Sequence, residues 1–220
     1  GLGLKKRPRI ISFSNNPYLQ NSNLLGVLFD NISNQVVIKL QYHTFTDKET
    51  REICFHPYLL KQYNNRWYLI GAADDDGKIL NFALDRIDSV TALPEMKYKP
   101  CNEDLADRFE DIIGVTLYED RDIEHILFWV SNRSKDYVGT KPIHGSQCQY
   151  KNEKDEEFRR QYPSLNEGAF FSIDCIPNYE LIRELCSFGK DLLVMEPKSI
   201  QDDVFHHTQQ MYEDYLGIRT

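Results

Sequence analysis

Residues 64–87 read NNRWYLIGAADDDGKILNFALDRI and bring Arg66, Trp67, Tyr68, Asp85 and Arg86 close together in the chain. Guanidinium groups beside aromatic rings can stack on a nucleobase and pair with a phosphate. Side chains alternate across a strand. On that period Trp67 and Leu69 share one face of RWYLIG, and Arg66, Tyr68 and Ile70 share the other. Along LNFALDR, Leu80, Phe82 and Leu84 oppose Asn81, Ala83 and Asp85. One face is therefore a plain core. The other face and the strand ends gather Arg66, Tyr68, Asp85 and Arg86, joined by Tyr42 and His56 from neighbouring strands. Two readings stand on spacing alone: a ligand surface, or an Arg86–Asp pair that closes the end of a small barrel.

Other chemistry is absent from the sequence. It contains no G-x-S-x-G, no glycine-rich phosphate loop and no H-E-x-x-H. DDDG at 74–77 lacks the alternate ligands and distal Glu of a calcium loop, and reads as a hairpin turn. His206 and His207 are adjacent, so on a helix they point roughly 100° apart and cannot share a metal. The cysteines at 54, 101, 148, 175 and 186 form no C-x-x-C pair and read as free, mostly buried thiols of a reducing compartment. The expectation is a protein without catalytic residues, metal or cofactor.

These residues must be held by a framework, and 220 residues with 41% hydrophobic content suffice for one large or two small cores. No apolar run is long enough for a membrane helix, and GLGLKKRPRI lacks the apolar stretch of a secretory signal, so a cytoplasmic protein is expected. Residues 1–100 carry 13 Lys/Arg against 10 Asp/Glu, whereas residues 101–220 carry 13 against 24. An acidic second half repels a phosphate backbone, leaving nucleic-acid contact to the first half. The basic run KKRPR at 5–9 reads as a solvated arm.

Residues 17–33 space Leu24, Leu25, Leu28, Phe29 and Ile32 as an amphipathic helix with Ser22 or Asn23 as cap. Period two then appears in QVVIKLQYH, with Val36, Ile38, Leu40 and Tyr42 on one face. REICFHPYLLKQY is a second strand whose Pro57 demands an edge, a bend or a bulge. RWYLIGA, ILNFALDRI and SVTAL complete five short strands, the pattern of a small barrel. A connector with a short helix near 103–110 precedes strands EHILFWVS, SQCQYKNE, AFFSIDCIP and LLVMEP, interleaved with helices NYELIRELCSFG and SIQDDVFHHTQQMYEDYL. Asn178 and Ser199 suit their caps and Gly189 a helix stop. Leu181, Ile182, Leu185 and Cys186 form one apolar stripe; Val204, Phe205, Met211, Tyr212, Tyr215 and Leu216 form another. This half is expected to be an α/β sandwich of split βαβ, ferredoxin-like type.

FHPYLL, NNRWYLIGAADDDGKILNFALDRIDSV and the trio Trp67–Tyr68–Leu69 resemble the WYL domain of bacterial transcriptional regulators. KPIHGSQ, LCSFGKDLLVMEP and the last helix are similar to the carboxyl-terminal extension, WCX, that often follows it. The resemblance implies an α+β chain. Its expected parts are a basic arm at 1–19, an Sm-like or SH3-like five-stranded barrel at 20–95, a connector at 96–121 and a dimerising extension at 122–220. It also implies a sensory module whose amino-terminal winged helix-turn-helix, missing from this chain, binds DNA. The effector would be nucleotide-like or a nucleic acid. The matching ligand positions are Tyr42, His56, Tyr58, Tyr68 and Arg86, with Arg51 and Arg66 beside them. Ala83 stands where the family commonly has Arg or another polar residue, which removes one contact. Rival readings are a direct single-strand nucleic-acid binder and an enzyme acting on a nucleotide.

Overall fold

The computed structural model describes residues 23–44 and 50–219, and the chain divides between Asn102 and Glu103 into two units. The KKRPR arm and the Ser22 cap lie outside the described residues. Helix α1 spans Leu24–Ser33, and Asn23 at its start is helical and makes no side-chain cap bond. Leu28 is fully buried and Leu24, Leu25 and Ile32 pack beside it, but Phe29, expected on the same stripe, is exposed.

Five strands follow: β1 (Val37–Tyr42), β2 (Arg51–Tyr63), β3 (Arg66–Ala73), β4 (Ile79–Ala83) and β5 (Ile87–Leu93). They form one antiparallel sheet in the order β4-β3-β2-β1-β5. Ile38, Leu40, Tyr42, Phe55, Leu69 and Phe82 converge in its core, with Trp67 partly buried against them. The alternation read from the sequence thus places Trp67 and Leu69 on the core face. Pro57 sits in a central strand, where its missing N–H is accommodated by a register shift between Pro57 and Leu59. Gly71, paired with Pro57 there, has no room for a side chain: a Cβ would lie 2.1 Å from the His56 carbonyl oxygen.

The expected barrel is not closed by hydrogen bonds among the described residues. β4 and β5 are the two ends of the sheet, and a single 3-10 turn, Leu84–Arg86, carries the chain from one to the other. Leu84 fills the core from this turn. The Arg86 carbonyl of this turn accepts the His43 N–H at 3.2 Å, just past the end of β1.

The second unit opens with helix α2 (Leu105–Arg108), capped by Asp104. It continues through β6 (Glu124–Val130), α3 (Lys135–Thr140), β7 (Cys148–Gln149), α4 (Asn152–Gln161), β8 (Ala169–Cys175), α5 (Tyr179–Ser187), β9 (Leu192–Glu196) and α6 (Lys198–Arg219). The sheet order β7-β8-β6-β9, antiparallel throughout, lets each β-α-β crossover skip one strand, as the split βαβ reading requires. SQCQYKNE is a correction: only Cys148–Gln149 are strand, and helix α4 takes over at Asn152.

Asn178 caps α5 as expected, its Oδ1 accepting the Leu181 N–H at 2.9 Å. Its amide also donates to the carbonyls of Ile113 and Thr116 at 2.7 and 3.0 Å. Glu180, buried two residues later, accepts from the Thr116 hydroxyl at 2.8 Å. Gly114 permits this clamp with φ +87, since a Cβ there would lie 2.6 Å from the Glu180 side chain. Gly189, φ +56, follows the end of α5. Ser199 lies inside α6 rather than capping it, and the stripe of Phe205, Met211, Tyr212, Tyr215 and Leu216 is exposed. Of the five free cysteines only Cys175 is buried, and Cys148 is exposed. No helix among the described residues is long and apolar enough to cross a membrane.

Candidate ligand site

Arg51 opens β2 directly opposite Tyr42, and Tyr63 closes it opposite Arg66. A straight strand of this length would hold its ends about 40 Å apart. Yet the 3-10 turn reaches toward both ends: Arg66 Nη2 lies 3.1 Å from Asp85 Oδ2, and the Arg86 guanidinium carbon lies 5.2 Å from the Tyr42 ring centre. The sheet therefore curls until Tyr42 and Arg66, which pair with opposite ends of β2, meet around Leu84–Arg86. A register shift between Gln41 and Tyr42 in the β1–β5 ladder re-aims Tyr42 at this point.

Tyr42 lies edge-on to Phe82, ring centres 4.7 Å apart. Burial pushes its phenol above the ordinary value, and the Arg86 guanidinium draws it part of the way back. Asp85 is largely shielded, and its Oδ1 is buried with no hydrogen-bond partner. At the rim, His43 Nδ1 lies 3.0 Å from Asp88, which also accepts from Thr50. Two guanidinium groups, one carboxylate and a buried phenol thus converge, with formal charge in favour of an anion. The Asp85 oxygen adds an acceptor in want of a donor.

The expected site residues separate into groups. Tyr42, Arg66 and Arg86 come together around Asp85, and Arg51 is their neighbour through its pairing with Tyr42. Tyr68 is on the opposite face of β3 from Trp67 and Leu69, between Lys61 and Ala83. His56 and Tyr58 are engaged elsewhere. The His56 ring is fully buried, with Nε2 3.0 Å from Asp74 Oδ1, and Nδ1 accepts the Lys99 N–H at 3.1 Å. Tyr58 donates its hydroxyl to the Lys99 carbonyl. Phe82 completes the site from the core; its place on the apolar face of LNFALDR marked it as packing and hid its contact with Tyr42. Among the described residues no group of three His, Cys, Asp or Glu side chains could hold a metal.

Residues 23–92 match the family model of the WYL domain. This segment is a WYL domain. No curated protein matches the chain. Among solved structures, the chain is similar to proteasome accessory factor B/C (PafBC) of Arthrobacter aurescens at 13% identity and TM-score 0.35, over 87% of this chain and 26% of that one. It is also similar to a CRISPR Cas-related protein at 12% identity and TM-score 0.48, over 86% of this chain and 50% of that one. The chain thus spans about a quarter and a half of the two. Within the matched residues lie α1, β1 to β4, all of β5 but Leu93, and the whole Tyr42–Arg66–Asp85–Arg86 cluster; Tyr98 and Lys99, which hold His56, lie beyond their end.

Proposed function

We propose that the WYL domain is the effector-sensing part of a transcriptional regulator, taking a nucleotide-like or nucleic-acid ligand at Arg86, Arg66, Tyr42 and Asp85, with Arg51 and Tyr68 at its margins. The observation that carries this reading is the convergence of two guanidinium groups and a buried phenol at the 3-10 turn of a WYL domain. Arginine pairs phosphate oxygens through a planar fork, and an aromatic neighbour accepts a base. The unpartnered Asp85 oxygen favours a ligand that also brings an N–H or O–H. Binding shifts the balance between two arrangements of the regulator, and so biases DNA-reading heads contributed by a winged helix-turn-helix.

The second unit serves this role by pairing two copies. Helix α6 leaves Phe205, Met211, Tyr212, Tyr215, Leu216 and Ile218 between 47% and 78% exposed. Its first half, with β9 and the end of α5, borders an apolar groove of about 650 Å³. An exposed aromatic and aliphatic face of this kind suits the core of an interface, which in standard complexes buries roughly 800 Å² per partner.

Titration of the chain with short oligonucleotides and with mono- and cyclic nucleotides, read by melting temperature and calorimetry, tests the sensing role. The expected result is a ligand whose affinity falls with salt and drops by about 1.5–3 kcal/mol in Arg86→Ala, with little rescue by Arg86→Lys. An earlier melt of Arg86→Ala with unchanged ligand affinity and salt slope would make Arg86 a structural closure. Pairing is tested by light scattering: a mass near 25.9 kDa at micromolar concentration would rule it out.

A further inference from the structure

The segment after β5 lies along the sheet under a set of bonds that the sensing role does not use. Lys99 donates its N–H to His56 Nδ1 at 3.1 Å, and its carbonyl accepts the Tyr58 hydroxyl at 2.8 Å. Its ammonium reaches the Asp74 carbonyl and Asp74 Oδ1, each at 2.7 Å. Tyr98 donates to the Pro57 carbonyl at 2.7 Å, and its ring lies edge-on to those of His56 and Tyr58. Residues 98 and 99 thereby bind residues 56–58 and 74, three positions before the first unit ends at Asn102.

The hydrogen-bond directions fix the state of His56. Because the Lys99 amide can only donate, Nδ1 must be without a proton; Nε2 then carries the ring's one N–H and donates it to Asp74. A second ring proton would set two N–H groups against each other at 3.1 Å. The ring is fully buried, so it cannot turn to water without the strap lifting. The charged and titratable groups facing it are Asp74 at the end of β3, Lys99 and Tyr98 on the strap, and Tyr58 on β2. Cys101 acts on the two phenols. Asp74 favours an added proton and the Lys99 ammonium, seated on the same carboxylate, opposes it. The bonds to Lys99 and His56 also hold the Asp74 carboxyl below its usual range.

We propose that residues 96–101 are a proton-released strap, fastened while His56 is neutral and freed when the imidazole takes a second proton. Fastening excludes that proton, whereas the ring of a lifted strap is open to it. The fastened state is therefore favoured at high pH and loses ground as pH falls. The strap ends one residue before Asn102, the last of the first unit, so its release changes where the sensing unit lets go of the chain.

Hydrogen exchange of the full chain, followed at the Lys99 amide between pH 8 and pH 5 and scaled to the intrinsic exchange rate, tests this. Expected is protection that is constant at the alkaline end of this range and falls toward the acid end with a limiting slope on the order of tenfold per pH unit. His56→Gln, whose amide can accept from Lys99 and donate to Asp74 without titrating, should keep protection across the range. Constant protection in the wild type, or the same loss in His56→Gln, overturns the proposal. If that variant does not fold, nitrogen NMR of the wild-type ring decides. A protonated Nδ1 beside a still-protected Lys99 amide refutes the strap; loss of both together supports it.

Discussion

Asn178→Ala removes three bonds at once, and the structure gives each a size. The cap to Leu181 N–H contributes about 1 kcal/mol to a helix start. The donors to Ile113 and Thr116 serve carbonyls beside a residue that is 1% exposed, and a buried acceptor left without a donor costs about 1–3 kcal/mol. Thr116 is only partly buried, so water recovers some of that loss, and the total comes to about 3 kcal/mol. Asn178→Ser keeps a cap and loses both amide donors, so it should cost about 2 kcal/mol. Asn178→Asp keeps the cap but aims a carboxylate at two carbonyl oxygens, and should be no better than alanine. The two tryptophans make the assay local: in a Trp67→Phe background the fluorescence of Trp129 reports the second unit alone. In urea the alanine variant should unfold about 1–2 M earlier. A midpoint within 0.3 M of the parent, as an order of error about which such slopes are read, or an aspartate variant as stable as the parent, would refute the clamp.

Trp67→Ala, which strips a half-buried ring from the first core, should cost about 3 kcal/mol, near the low end for such truncations, in a melt of the first unit; a loss under about 1 kcal/mol would remove Trp67 from the core. Gly71→Ala must push β2 from β3, and should lower stability by at least 1–3 kcal/mol, roughly the cost of overpacking, while an unchanged melt would deny the close approach. Burial pushes the Tyr98 phenol up to about 12. Its ionisation is thus favoured by unfolding, so the stability it lends is complete below about pH 10 and is lost as pH rises through about 12. In ultraviolet titration of the native chain Tyr98 should be missing from the phenols that ionise near pH 10, so Tyr98→Phe should leave that early count unchanged.

Period two made β1 to β5 legible in sequence, although β3 buries residues 69–73 without a break and so carries the signal only in its first half. α5 was legible at period 3.6, with Asn178 marking its start. Helix α4 was hidden because NEKDEEFRRQ buries a single residue, Phe158, and one apolar position has no period. The α6 stripe had a period, but period reports an apolar face and not what covers it. Alternation placed Leu84 on the core face, where it lies, but could not express the 3-10 turn Leu84–Arg86 that separates β4 from β5. In the site, the pairing of Arg66 with Asp85 and the closeness of Arg86 follow from neighbouring strand ends. His56 and Tyr58 shared the same residue chemistry but are held by Tyr98 and Lys99, more than forty residues on, and nothing in FHPYLL announces that strap.

The strand order of the second unit also sets when it can fold. β6 is made early, yet it pairs only with β8 and β9, whose residues lie about 45 and 64 positions later along the chain. During synthesis β6 therefore waits with both edges open, carrying Ile126, Leu127, Phe128 and Val130, until β8 and then β9 emerge. Contacts so distant in sequence make assembly slow, and an apolar strand with unmet edges invites pairing with another nascent chain. Truncation before Leu192 should therefore yield an aggregating chain rather than a shorter soluble one.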